Sequence, residues 1–446
     1  MSGTSGTSTS ALGVIILTVF IDMLGVGILI PVVPQLLGNP RSPNYLLPDG
    51  WTYSQGLICL GFLIASYPLA QFVSTPILGQ LSDRFGRRPV LIISLTGSAL
   101  GYGVFAIGII TKNIPLLFIS RTFDGITGGN ISVAQAAVAD ISTPENRTKH
   151  FGLVGAMFGL GFILGPYIGG KLAVPDTTVL SAFGKQLFTT PHWFSAATPF
   201  WFAAILCLIN VAALSLRLPE TLHTKQHGLA IAWNRSLLNI SDSLKIPRVK
   251  SVVPAVFLYG AGFTFFTTFF SLFITQKLGF RENNVGDYFA YIGIWIAITQ
   301  AVIAGKLAAK FPDWKIIRVV LLLLPFAILL TFLPSNTTQL LLITPFIPIC
   351  VGLGMANITS MMSWLAPPER QGQILGINAS VNALAQAIPA ALTGFLGGIN
   401  RNVPILASSI TIGLGAIAFW VMFKPDSADT ATSGSDSPAP ARSHSS

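Results

Sequence analysis

Three charged residues lie well away from the ends of long apolar runs of this sequence, where charge is costly: Asp22, Arg121 and Asp124. Placing an Asp near the centre of a bilayer costs ~2.5–3.5 kcal/mol on insertion scales, so such a residue needs a partner or a watery cavity. Removing a carboxyl group from water favours its neutral form, so an intramembrane Asp can take up a proton and release it when it meets water again. Asp22 is the one charge in its run, and its alternative role is a neutral, hydrogen-bonded group that packs helices. Arg121 and Asp124 are three residues apart, so on a helix they share a face and can pair. That pair reads either as a fixed clamp or as a switch, in which a proton on Asp124 frees Arg121 to engage a carboxylate such as Asp22. Arg keeps its charge and cannot carry the proton itself. Arg121 also falls toward the outer start of its run, from where a long side chain can snorkel to the interface.

Other chemistries are excluded. The sequence lacks a GxxxxGK[ST] phosphate loop, which argues against ATP as the energy source. His150, His192, His223, His227 and His444 lie in connections, at a span edge or in the tail, and none has a Cys or Glu partner at ligand spacing, so no metal is expected. Cys59, Cys207 and Cys350 each sit within an apolar run and read as small packing residues. No enzyme site is visible.

The chain that carries these residues has 446 residues, 52% hydrophobic and 9% charged, with mean hydropathy +0.68. A soluble globular protein has ~25% charged residues, so a soluble enzyme, a disordered protein and a nucleic-acid binder are excluded. The net charge of +10 resides in short clusters between apolar runs, a pattern that orients membrane proteins rather than tracking phosphates.

A helix needs ~20 apolar residues to cross a bilayer. Twelve such runs are present, near 12–36, 55–78, 90–110, 114–139, 150–170, 198–216, 251–276, 285–308, 316–334, 338–364, 372–397 and 403–423. Continuous runs rather than ~10-residue alternation exclude a barrel, so the fold class expected is all-α integral membrane. The first ten residues lack Lys and Arg, so the first run reads as a permanent span rather than a cleaved signal. With both termini on one side, that side holds 18 of the connecting Lys and Arg residues and the other 7, with Arg121 inside a span. The positive-inside rule then places both termini in the cytoplasm.

The longest connection on that side, 217–250, divides the chain into a bundle at 1–216 and a second at 251–423, followed by a polar, disordered cytoplasmic tail at 424–446. The halves echo each other. Pro144-Glu145 with Gly152 matches Pro368-Glu369 with Gly376 at an offset of 224, and Gly79-Gln-Leu with Arg84-Phe85 matches Gly305-Lys-Leu with Lys310-Phe311 at 226. Two six-span halves around a mid-membrane site are the architecture of a rocking transporter.

The 79–89 loop has a mechanical logic. Gly79 and Gly86 permit close approach and a tight turn. Asp83 can cap a neighbouring helix, and Arg84, Arg87 and Arg88 can reach carboxylates or lipid phosphate. Contacts made in one conformation only would make the loop a latch, whereas a mere positive-inside anchor would need only the arginines. The second copy has Ala309 in place of Asp83, so a latch would be one-sided. In the fifth span Gly161, Gly165 and Gly169 form a smooth stripe at four-residue spacing, Pro166 bends the helix and Gly170 loosens its end. Phe266, from a phenylalanine-rich seventh span, and Gln135, Asn357, Asn378, Asn382 and Gln386 are the candidates for substrate contact in an apolar pocket, with helix packing as their alternative role.

End to end, the sequence resembles the major facilitator superfamily. Gly79 to Pro89 is close to its signature loop, Arg121-x-x-x-Gly125 is a second match, and Gly161 to Gly170 is similar to the motif of drug/proton antiporters. Asp22-Met-Leu-Gly25 through Pro31-Val-Val-Pro34 is similar to the twelve-span tetracycline and multidrug efflux group. The resemblance implies two pseudo-symmetric six-helix bundles and a monomer in a bacterial inner membrane, without cofactor and driven by the proton gradient. It further implies export of hydrophobic or amphipathic small molecules, with Asp22, Arg121 and Asp124 in proton coupling. Tetracycline exporters carry acidic residues in spans 3 and 9, whereas 90–110 and 316–334 contain none, so a different drug-like substrate is equally compatible. A proton-linked importer of a sugar or other metabolite on the same fold is the alternative, and a non-transporting receptor would have little reason to retain the three charges.

Overall fold

In hydrocarbon a backbone can bond only to itself, so each continuous apolar run closes into a helix. The computed structural model describes residues 4–143, 146–175, 179–182, 185–222, 232–365 and 371–425. The repeat matches at Pro144-Glu145 and Pro368-Glu369, His223, His227 and the tail beyond residue 425 lie outside them. The first half comprises α1 (Thr4–Gly38), α2 (Tyr53–Phe85), α3 (Arg87–Ile110), α4 (Ile114–Thr127), α5 (Asn130–Asp140), α6 (Arg147–Leu172) and α7 (Thr198–Arg217). The connection contains α8 (Arg235–Lys245) and α9 (Pro247–Lys250). The second half comprises α10 (Val253–Leu278), α11 (Glu282–Ile298), a π-helical segment Thr299–Ala304 continuing into α12 (Gly305–Ala308), α13 (Asp313–Leu329), α14 (Thr337–Ile343), α15 (Phe346–Trp364), α16 (Gln371–Ile399) and α17 (Val403–Met422).

Eleven helical stretches are long and apolar enough to span a bilayer among the described residues. The expected run at 114–139 is instead broken into α4 and α5 at Gly128-Gly129. The cause is local. Gln71 Nε2 donates to the Gly128 carbonyl at 2.9 Å, competing with the helical bond, and a side chain at Gly128 or Gly129 would strike Tyr67 or Thr75 of α2. A second departure from an all-helical chain is a short antiparallel hairpin, β1 (Val179–Ala182) with β2 (Lys185–Thr189), between α6 and α7.

Packing repeats between the halves. In the first, α1 meets α6 and α7, α3 meets α4 and α7, and α2 meets α4. In the second, α10 meets α16 and α17, α13 meets α15 and α17, and α11 meets α15. Each pair has its counterpart at the same place in the order of spans. The main contacts between halves, α2 with α16 and α6 with α11, exchange under the same correspondence.

These contacts are concentrated at the end of the bundle remote from the termini. There Gln35 Nε2 donates to Thr275 Oγ1 at 2.8 Å, Ser42 Oγ and Asn44 Nδ2 both donate to buried Glu282 at 3.2 Å, and Lys171 pairs with Asp287 at 2.8 Å. Gly61 packs on the Ala390 carbonyl, and Gly170 on the backbone of Glu282 and Gly286. Toward the termini the halves diverge: beyond the glycine's own stretch of helix, no described atom lies within 4 Å of a Cβ built at Gly79, Gly152, Gly155 or Gly305. The space between the halves therefore opens toward the side that holds the termini.

Candidate functional site

The break between α4 and α5 lies beside a buried polar cluster in the first half. Arg121 Nη1 donates to Asp124 Oδ2 at 2.7 Å, and both side chains are almost fully buried. The guanidinium lies over the Tyr67 ring of α2, 4.6 Å from its centroid, so charge and ring face attract in a dry site. Snorkelling is therefore not what Arg121 does: its partners hold it inward. Ser98 of α3 lies beside Asp124, and Ser120 secures α4 to the Gly101 carbonyl at 2.8 Å.

Asp22 of α1 faces this cluster without sharing its ion pair. The Asn130 amide at the start of α5 lies beside it, with Asp124 within electrostatic range. Yet Asp22 Oδ2 and both amide atoms of fully buried Asn130 lack hydrogen-bond geometry. Buried polar atoms left in this condition are rare and cost ~1–3 kcal/mol each, which marks the place as a reservoir of unmet bonding.

The glycine stripe of α6 sets α1 in place around Asp22. Cβ atoms built at Gly161, Gly165 and Gly169 meet backbone of α1 at Phe20, Leu24 and Ile28. Only glycine allows that approach, which fixes the helix face bearing Asp22. Pro166 packs against Gly27 and its ring leaves the Phe162 carbonyl without the usual helical donor. Gly170, expected to loosen the helix end, instead abuts α11, and α6 runs on to Leu172.

In the 79–89 loop, Gly86 takes φ +113°, a backbone that favours glycine. Arg87 is buried and donates to Ser82 at 2.6 Å, Asp83 at 2.6 Å and Asp140 of α5 at 3.1 Å. The expected capping by Asp83 is not seen, because Arg87 one turn away claims its carboxylate. Glu220 caps instead, accepting from the Arg87 and Arg88 backbone N–H groups at 2.8 and 3.3 Å, an anion at the start of α3 where the helix dipole favours it. Arg88 donates to the Ser215 carbonyl at 2.6 Å, while Arg84 is exposed over Phe85. None of these partners comes from beyond Glu220, and Gly79 faces open space.

The six candidate substrate contacts do not converge. Gln135 is half-buried on α5. Asn357 is buried and donates to the Leu353 carbonyl of its own helix at 2.7 Å, so it is occupied with packing. Asn378, Asn382 and Gln386 follow one face of α16, with Asn382 donating to Asn378 at 3.2 Å and Gln386 exposed. Phe266, stacked on Phe270 at 4.4 Å, lines an apolar crevice between α6, α10, α11 and α15.

Asn130, Tyr67, Gln71, Asp140 and Glu220 belong to this machinery and are not singled out by sequence reasoning. Asn130 directly follows Gly128-Gly129, a breaker pair in an apolar run that could have marked it. Gln300 is a further case: it lies exposed in the π-helical segment opposite Gly159 of α6. Such segments often occur at functional sites.

A family model described as the Major Facilitator Superfamily matches residues 15–390 and 255–444. The chain belongs to the major facilitator superfamily. Multidrug resistance protein 2 of Bacillus subtilis is 28% identical over 93% of this chain and 96% of its own length. The class H tetracycline resistance protein of Pasteurella multocida is 28% identical over 86% of this chain and 88% of its own length. Among solved structures, that of the human organic anion transporter MFSD10 aligns with TM-score 0.67 at 23% identity, covering 92% of this chain and 99% of that one. This superfamily member is a multi-pass membrane transporter rather than an enzyme. Its pair-for-pair repeat is the fold's pseudo-symmetry, and the polar cluster lies within the first repeat.

Proposed function

We propose that this transporter exports hydrophobic or amphipathic small molecules in exchange for protons, with Asp22 as the proton-binding carboxyl. The observation that carries the reading is the asymmetry of the two carboxyls, Asp124 buried and Asp22 half-buried. Asp124 has a permanent counter-charge in Arg121 at 2.7 Å, whereas Asp22 has an amide beside it and an oxygen without a partner. A proton is the counter-charge such a site can admit, and Asn130 can bond to either form because an amide both donates and accepts. Arg121 modulates the site through its hold on Asp124.

With both termini in the cytoplasm, as the distribution of Lys and Arg favours, the open side faces the cytoplasm and the sealed side faces outward. That is the state in which an exporter collects its substrate. The resistance proteins named above support efflux. Each chain would act as a monomer, its halves at 1–216 and 251–423 rocking against one another, with the 79–89 loop free to engage when the open side closes.

The test uses energised inverted vesicles carrying the protein. Tetracycline and ethidium are added while internal pH is followed, with Asp22→Asn in parallel. Drug-triggered proton efflux that Asp22→Asn abolishes supports the reading. Counterflow of a sugar or metabolite with no response to any drug would replace it with the importer.

A further inference from the structure

We propose that α8 is a membrane-surface helix whose apolar face is covered by the bilayer leaflet on the side of the termini, forming a lipid-backed wall beside the cleft between α2 and α16. The proposal is independent of the substrate and of the coupling ion. It rests on an inverted pattern of burial. The residues of α8 that face the protein are polar: Ser236, Asn239 and Ser243 are all buried. Ser236 donates to the Phe72 carbonyl of α2, an acceptor left open because Pro76, four residues on, has no N–H. Asn239 donates to Ser380 of α16 at 3.3 Å and lies over Gly376. The helix thus bridges the two halves on the side where they otherwise diverge.

Its large apolar residues point away from the protein. Leu237 is 64% exposed and Leu244 58%, with Trp233 just before the helix at 72%. At about 100° per residue, these three share one face, with Ile240 at its edge. Ser241, Lys245, Leu238, Asp242 and Arg235 occupy the remaining sector, where Lys245 donates to Asp242 at 3.0 Å and Leu238 is 39% exposed. A helix in water would expose the serines and asparagine and bury the leucines. Three successive sectors, one for protein, one of large apolar residues and one mostly polar and charged, are instead what a helix at a bilayer boundary needs.

The neighbourhood identifies the occupant. Leu69 and Val73 of α2, beside the Phe72 contact, are nearly half exposed, so the apolar face of α8 continues a surface that a spanning helix presents to acyl chains. The exposed Arg235 and Lys250 suit the anionic phosphates of the leaflet.

The three native cysteines are buried, so single cysteines introduced by Leu237→Cys, Leu244→Cys and Ser241→Cys can carry an environment-sensitive fluorophore. The labelled full-length protein is placed in vesicles of phosphatidylcholine and phosphatidylglycerol. Quenchers are an acyl-chain nitroxide lipid and aqueous iodide. The proposal predicts blue-shifted emission at 237 and 244, lost to the lipid quencher and protected from iodide, with the reverse at 241. Iodide quenching at 237 and 244 without lipid quenching would place that face in water and overturn it. Protection from both would mean that protein covers the face, and would overturn it equally.

Discussion

Gly165→Ala and Gly155→Ala, ten residues apart on one helix, are predicted to move stability in opposite directions. A Cβ at Gly165 would lie 2.6 Å from the Leu24 carbonyl oxygen and 2.8 Å from Gly27 Cα. Ordinary contact between such atoms is ~3.5–4.0 Å, so α1 and α6 would have to part by roughly 1 Å. Both neighbours are backbone and cannot rotate aside. Overpacking of this kind costs about 1–3 kcal/mol, against about 0.5–1 kcal/mol gained by replacing Gly with Ala inside a helix. The net loss is about 1–2 kcal/mol. At Gly155 no described atom beyond its own stretch of helix lies within 4 Å, so only the gain of about 0.5–1 kcal/mol remains. The pair should therefore differ by about 2 kcal/mol, a separation of a few degrees in apparent melting temperature. Purified protein is heated in detergent and the surviving monodisperse fraction is followed by size exclusion. Gly165→Ala melting at or above Gly155→Ala would refute both the close approach of α6 to α1 and the open space beside Gly155.

Bulk on the open side should impair transport without unfolding the protein: Gly155→Leu or Gly305→Leu is expected to leave the melting temperature near wild type while vesicle transport falls severalfold, because closure must bring α6 and α12 together. Arg121→Ala should destabilise by about 3–5 kcal/mol by stranding Asp124, seen as loss of folded protein, whereas Arg121→Lys should fold and show reduced transport. Glu220→Gln weakens the anionic cap on α3 and should cost about 0.5–1 kcal/mol, measurable as a small fall in melting temperature that Glu220→Asp partly restores. Lys171→Asp and Asp287→Lys should each make the remote end more reactive to a membrane-impermeant thiol reagent at Gln35→Cys, and the double exchange should reverse the effect.

The helices were legible because the bilayer leaves an apolar run no other structure, and the repeat was legible in the matched Gly79 and Gly305 segments. The broken fourth span was not, since periodicity treats Gly128-Gly129 as tolerable in a membrane helix, and only Tyr67, Gln71 and Thr75 of α2 turn them into a break. Depth along the sequence suggested that Arg121 could snorkel; Tyr67 and Asp124, distant or modest in sequence, hold it inside. Glu220 read as one of two acids in a basic connection, yet the fold brings it 133 residues back to the Arg87 amide. Eleven residues are too few to register in a search for spans, so α8 passed as connection. Substrate contacts were the least legible, because an Asn that satisfies its own helix, as Asn357 does, has the same letter as one that faces a cavity.

The central claim is that Asp22 exchanges its proton against substrate. The most direct measurement is proton release by the purified protein on substrate binding, in weakly buffered detergent with a pH indicator and no gradient present. Ethidium and tetracycline are titrated into wild type, Asp22→Asn and Asp124→Asn. Wild type is expected to release protons on binding, and Asp22→Asn to bind without release. Equal release from wild type and Asp22→Asn would contradict the claim and move the coupling proton elsewhere.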